Sequence, residues 1–96
     1  MLDRVLNQMR NRIRTRRYIM TIHAEEEMDD DDLSILDVES VVLTGAIVQR
    51  QKDVATGERK YVVRGRTLSG DDAVVVGRLG PTGKLIFITV YRGLAI

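Results

Sequence analysis

The stretch Lys84-Leu85-Ile86-Phe87-Ile88-Thr89-Val90-Tyr91-Arg92 decides the fold. Its interior is β-branched and aromatic almost throughout, the composition of a strand. Alternation predicts Leu85, Phe87, Thr89 and Tyr91 on one side and Ile86, Ile88 and Val90 on the other. A strand apolar on both faces belongs inside a sheet, with something covering each side.

Its neighbours lie just before it. Ala46–Lys52, Arg59–Thr67 and Asp72–Leu79 read as strands, joined by Asp53–Glu58, Leu68-Ser69-Gly70-Asp71 and Gly80-Pro81-Thr82-Gly83. These connections are short and rich in turn residues, so consecutive strands should pair antiparallel. Gly93–Ile96 is a short apolar tail that either docks or stays disordered.

The cover comes from the N-terminal half. Leu2, Val5, Leu6, Met9 and Ile13 recur at helical spacing over residues 2–17, with Arg10, Arg14 and Arg17 expected on one exposed face. Ile19, Thr21 and Ile22 suggest an extended segment at 20–23. A short acidic helix should follow from Ala24 to Asp30. Ser34 is an N-cap with Asp37 in the capping-box position, and Ile35, Val38, Val41 and Val42 form a buried stripe. Gly45 is placed to end this third helix in the left-handed conformation. The expected architecture is α+β: N-terminal helices packed on a four-stranded antiparallel β-meander.

With 96 residues and 44% apolar side chains, the chain suits a single domain over residues 1–96 with one core. The absence of cysteine excludes disulfides, zinc-thiolate sites and cysteine nucleophiles. No metal is expected, because one histidine and no cysteine leave only carboxylates and Asp29–Asp32 lack the glycine and alternating spacing of a calcium loop, and no cofactor is implied. No apolar run reaches membrane length, so a soluble cytoplasmic protein without a membrane partner is the expectation.

The net charge of +1 conceals segregation. Residues 1–18 hold six arginines against Asp3, and residues 25–32 hold seven acids and no base. Residues 46–96 hold nine bases against four acids. The basic segments would attract a polyanion and the acidic one would repel it. Equally, all three are what solvated faces of a small domain look like.

The candidate chemistry lies on the sheet. Alternation in Arg59–Arg66 puts Lys60, Arg64 and Arg66 on one face, interrupted by Val62. Arg78 and Arg92 end neighbouring strands, and Tyr61 and Tyr91 are suited to stacking on bases. Such a face suits RNA backbone and bases, and it can cleave RNA without a metal if a cation stabilises the phosphate charge. The alternative is a solvated sheet face with cations protecting its edges. His23, the sole histidine, is either a proton-transfer group or an anchor that hydrogen-bonds a carbonyl and packs against the core.

The pattern Thr21-Ile22-His23-Ala24, Met28, Ser34, Asp37-Val38, Gly45 and Ile88-Thr89-Val90-Tyr91 resembles the bacterial domain-of-unknown-function family numbered 4258. The resemblance spans about residues 18–92 and leaves out the arginine helix at 1–17. That family looks like a branch of the RelE/ParE/MqsR-like toxin superfamily. The resemblance implies a RelE-like fold; many relatives are messenger-RNA endoribonucleases paired with a cognate antitoxin protein, others poison gyrase, and some have no known activity. By position it carries Lys60, Arg64, Arg78, Tyr91 and Arg92 over as the basic residues and tyrosine of the sheet. Family members commonly carry arginines around the methionine, whereas this chain has Glu27 and Asp29–Asp32. Those acids repel RNA within about 8–10 Å at physiological salt.

The reading is a toxin-family protein acting on RNA, with Arg64, Tyr91, Arg92 and His23 as catalytic candidates. Lys60, Tyr61, Arg66 and Arg78 are the candidates for RNA binding. The alternative is a non-catalytic interaction module or homo-oligomer.

Overall fold

A computed structural model describes residues 3–93. Three helices, α1 (Arg4–Arg14), α2 (Ile22–Asp30) and α3 (Ile35–Thr44), pack on a five-stranded sheet. Its strands are β1 (Tyr18–Met20), β2 (Ala46–Lys52), β3 (Arg59–Arg66), β4 (Asp72–Leu79) and β5 (Leu85–Arg92), in the spatial order β1-β5-β4-β3-β2. β2 to β5 pair antiparallel in sequence order.

The fifth strand is a correction to the expected four-stranded antiparallel meander. Tyr18–Met20 lie parallel to Leu85–Phe87, so the sheet is mixed. The reason is the internal character of β5. Its backbone needs partners on both edges, and β4 supplies only one.

The helix at residues 2–17 is also shorter than its apolar spacing suggested. Asp3 caps it by accepting the N–H of Leu6 at 3.2 Å. It stops at Thr15, whose hydroxyl bonds back to the Asn11 carbonyl, and Arg16 then turns left-handed at φ 56°. That turn swings the chain into β1, where Arg17 accepts the N–H of Leu85. The α3 capping box forms as read: Ser34 Oγ accepts the Asp37 N–H, and Asp37 accepts the Ser34 N–H. Gly45 departs from expectation, with φ −94° and ψ −172°, an extended conformation. It runs straight into β2, and α3 is closed from outside instead. Arg10 donates to the carbonyls of Val42 at 3.1 Å and Gly45 at 2.9 Å. Arg10 is therefore half-buried and does not share an exposed face with Arg14 and Arg17.

The helices cover one face only. Leu6, Met9 and Ile13 of α1, Ala24 of α2, and Val38, Val41 and Val42 of α3 meet Tyr61, Val63, Ala73, Val75, Leu85, Phe87 and Val90. Tyr18 sets its ring edge-on to Phe87, with centroids 5.6 Å apart. Gly65 lets α3 approach β3: a Cβ there would run into the Val41 carbonyl oxygen. The tail expected at Gly93–Ile96 falls mostly outside the described residues.

Candidate nucleic-acid interface

Among the described residues, the second face of the sheet carries no helix. β3 presents Lys60, Val62, Arg64 and Arg66 there, since Tyr61 and Val63 point into the core. Cross-strand register adds Asp72, Val74, Val76 and Arg78 from β4. Val62 and Val74 are buried even so, outside the helix-side core cluster.

A β-bulge decides what β5 contributes. Val76 pairs with Thr89 and Gly77 with Phe87, so Ile88 is an extra residue. An extra residue reverses the alternation beyond it. Leu85, Phe87, Val90 and Arg92 face the helices, whereas Ile86, Thr89 and Tyr91 face the open side. This corrects the simple alternation: Thr89 and Tyr91 leave the side of Leu85 and Phe87 for the open face, and Arg92 turns towards the helices.

Arg64, Val74 and Tyr91 therefore form one row across β3, β4 and β5. Lys60, Arg66 and Arg78 share this face. Arg78 lies 3.5 Å from Glu58, and Arg66 donates to the Gly70 carbonyl at 3.3 Å. Neither Lys60 nor Arg64 has a side-chain hydrogen bond or ion pair among the described residues. A shallow depression of about 370 Å³ runs beside this row, lined by Thr44, Arg64, Gly65, Arg66 and Asp72. Burial raises the Tyr91 phenol above its usual range, with a further push from the Glu27 carboxylate. A phenol held neutral is a hydrogen-bond donor.

Two candidates lie elsewhere. Tyr61 is buried in the core at 8% exposure, so its ring cannot stack on a base. The Arg92 guanidinium is spent on structure. It donates to the carbonyls of Asp31 and Asp32 at the end of α2 and lies 2.7 Å from Asp71 Oδ2. Cations at a helix C-terminus stabilise it through the dipole.

His23 sits in the first turn of α2, not in an extended segment, and its side chain is 65% exposed. The core-packed anchor is thus not what forms. Nε2 lies 3.1 Å from Glu27 Oε1, one helical turn on. Glu27 also accepts the main-chain N–H of Val90, which ties the pair to the β5 edge beside Tyr91. Arg64 is two strands away, so the face brings together Arg64 and Tyr91 and leaves His23 at its margin. Glu27 was missed in the sequence because a carboxylate in an acidic run carries no mark of its partner.

Among the described residues no group of three His, Cys, Asp or Glu side chains is arranged to hold a metal ion. No helix there is long and apolar enough to cross a membrane.

A family model described as a domain of unknown function, DUF4258, matches residues 20–92. No curated protein and no solved structure matches the chain.

Proposed function

The chain belongs to the DUF4258 family, and on that premise we propose that it is a RelE/MqsR-like toxin-family protein that engages RNA through the open sheet face. The observation that carries this reading is the Arg64–Val74–Tyr91 row. It holds an unpaired guanidinium and a neutral phenol on one helix-free surface, flanked by Lys60, Arg66 and Arg78. Phosphates would sit on the arginines and a base or phosphate oxygen on Tyr91.

The same groups support metal-independent cleavage. The RNA 2′-hydroxyl attacks the adjacent phosphorus and the bond from phosphorus to the 5′-oxygen breaks, which leaves a 2′,3′-cyclic phosphate. Arg64 stabilises the charge growing on the phosphate oxygens. Tyr91 protonates the departing 5′-oxygen, a role that suits a phenol held neutral. His23, oriented by Glu27, takes the 2′-hydroxyl proton. Arg92 has no part in this scheme.

The test is binding and cleavage of single-stranded RNA at low salt, where electrostatic attraction is strongest. Arg64→Ala should weaken binding, and Tyr91→Phe should remove cleavage while leaving binding largely intact. An absence of RNA binding at low salt overturns the reading.

A second reading, a protein-interaction module, is favoured by the outer edge of β2. The β5 edge is covered by Glu27 and Asp31, whereas β2 pairs with β3 alone. A free edge takes an added strand from an antitoxin segment or from a second copy. Concentration-dependent association lost on Val48→Pro would support it.

A further inference from the structure

We propose that the solvent face of α1 is a second, separate binding surface, and that its ligand is duplex DNA read through the major groove. The inference goes beyond the RNA reading and does not depend on it. α1 lies on the helix side of the sheet, opposite the Arg64–Tyr91 face, and before the residues matched by the family model.

The argument begins with which residues face outward. Leu6, Met9 and Ile13 bury one side of α1. Arg4, Asn7, Gln8 and Asn11, at positions i, i+3, i+4 and i+7, form the opposite stripe, and all four are exposed. With Arg12 they line a shallow depression of about 520 Å³. Arg14, Arg16 and Arg17 stand exposed at the C-terminal end of the stripe.

This composition is unusual for a face that only meets water. A solvated helix is normally laced with Glu and Lys, whose paired charges support it. α1 contains neither. It holds two asparagines instead, and asparagine is among the weaker helix formers because its amide competes for the backbone. The nearest acid, Asp3, is occupied by the Leu6 N–H and by Arg50 at 2.9 Å. The stripe therefore presents three amides and the Arg4 guanidinium, which has no ion pair among the described residues, while Arg12 beside it donates to the Gly83 carbonyl. Asn11 shares Oδ1 with Arg12 in a solvent-exposed bond that a base edge can replace.

Amide side chains pair with the adenine edge and guanidinium with the guanine edge in the major groove. That groove admits an α-helix, whereas the major groove of A-form RNA is too deep and narrow for side chains to read. An 11-residue helix is about 16 Å long, enough to lie across a groove about 12 Å wide. Arg14, Arg16 and Arg17 then reach the flanking phosphates, which add affinity without sequence information.

The test uses the full chain, a mixed-sequence DNA duplex, an RNA duplex of the same sequence, and selection from a randomised DNA pool. The wild type should bind DNA better than duplex RNA and enrich a preferred sequence from the pool. The quadruple variant Arg4→Ala/Asn7→Ala/Gln8→Ala/Asn11→Ala should lose roughly tenfold or more in affinity. Alanine is the best helix former, so this variant should keep its helical circular dichroism. Arg14→Ala/Arg17→Ala should lower the salt slope of binding by about two. Arg64→Ala should leave DNA binding intact, so the two sites are told apart. The proposal is overturned if the quadruple variant binds DNA as well as wild type, or if duplex RNA competes equally. It is also overturned if DNA binding is lost with Arg64→Ala, or if no DNA binds at low salt.

Discussion

Asp31 accepts the main-chain N–H of Arg92 at 2.7 Å, one helical turn beyond Glu27, which accepts that of Val90 at 3.2 Å. A helix rises about 6 Å over four residues and a strand about 6.7 Å over two, so the two periods match. β1 pairs with β5 only as far as Phe87. Beyond it, carboxylates of α2 take the place of a neighbouring strand. Two members of the acidic run, Glu27 and Asp31, thus serve the sheet edge as acceptors for its N–H donors.

Asp31→Ala should destabilise the protein by about 1–2 kcal/mol by leaving the Arg92 N–H without its acceptor. Glu27→Gln should cost less, because an amide oxygen still accepts from Val90 while the contact with His23 loses its charge. Urea midpoints of the two variants against wild type check the order.

Arg64 and Arg92 should separate in an RNA titration. Arg64→Ala should reduce the salt slope of single-stranded RNA binding by about 0.7 without loss of stability. Arg92→Ala should leave the slope unchanged and cost about 1–2 kcal/mol by uncapping α2. A reduced slope with Arg92→Ala would mean that its guanidinium does leave Asp31 and Asp32 for RNA.

Gly65→Ala should be strongly destabilising, by about 1–3 kcal/mol or more, because a methyl group there meets the Val41 carbonyl and forces α3 off β3. Thermal unfolding of this variant and of Gly70→Ala, where open space surrounds the added Cβ but φ is +89°, separates packing from backbone strain.

Asp37 should set part of the acid limb of stability. The Ser34 and Leu68 N–H groups donate to its carboxylate and hold it below the usual value of 3.8. The group's contribution is complete above that unfolded value and disappears as pH falls through the lower folded one. Asp37→Asn should flatten the fall in denaturant midpoint below about pH 4 and cost about 1 kcal/mol at neutral pH by weakening the capping box.

Tyr18 governs the alkaline limb. Burial first, and then its hydrogen bond to Glu39, push its phenol up to about 12. The folded state therefore holds a proton that the unfolded chain gives up near 10. Stability is full below that value and falls as pH rises towards about 12. Ultraviolet titration should show a tyrosine ionising near 12 that is lost in Tyr18→Phe.

What the sequence determined by itself is local. Period-two alternation and turn residues marked Ala46–Lys52 and Asp72–Leu79 with the bounds observed, and the others to within a residue. The capping box at Ser34 and Asp37 was readable because both partners lie within one turn. The shared face of Lys60, Arg64 and Arg66 followed from alternation in an unbroken strand.

What the tertiary structure alone decided is pairing across distance. The bulge at Ile88 depends on how β5 aligns with β4, and one extra residue moved Tyr91 from the side of Phe87 to the open face and turned Arg92 towards the helices. Tyr18–Met20 became a strand because Leu85–Phe87 needed a partner, a demand with no local signature. Arg10, Arg92, Glu27 and Asp31 look alike in sequence as surface charges. Their roles come from unsatisfied backbone groups on elements far away in the chain, which must find partners once buried or placed at an edge.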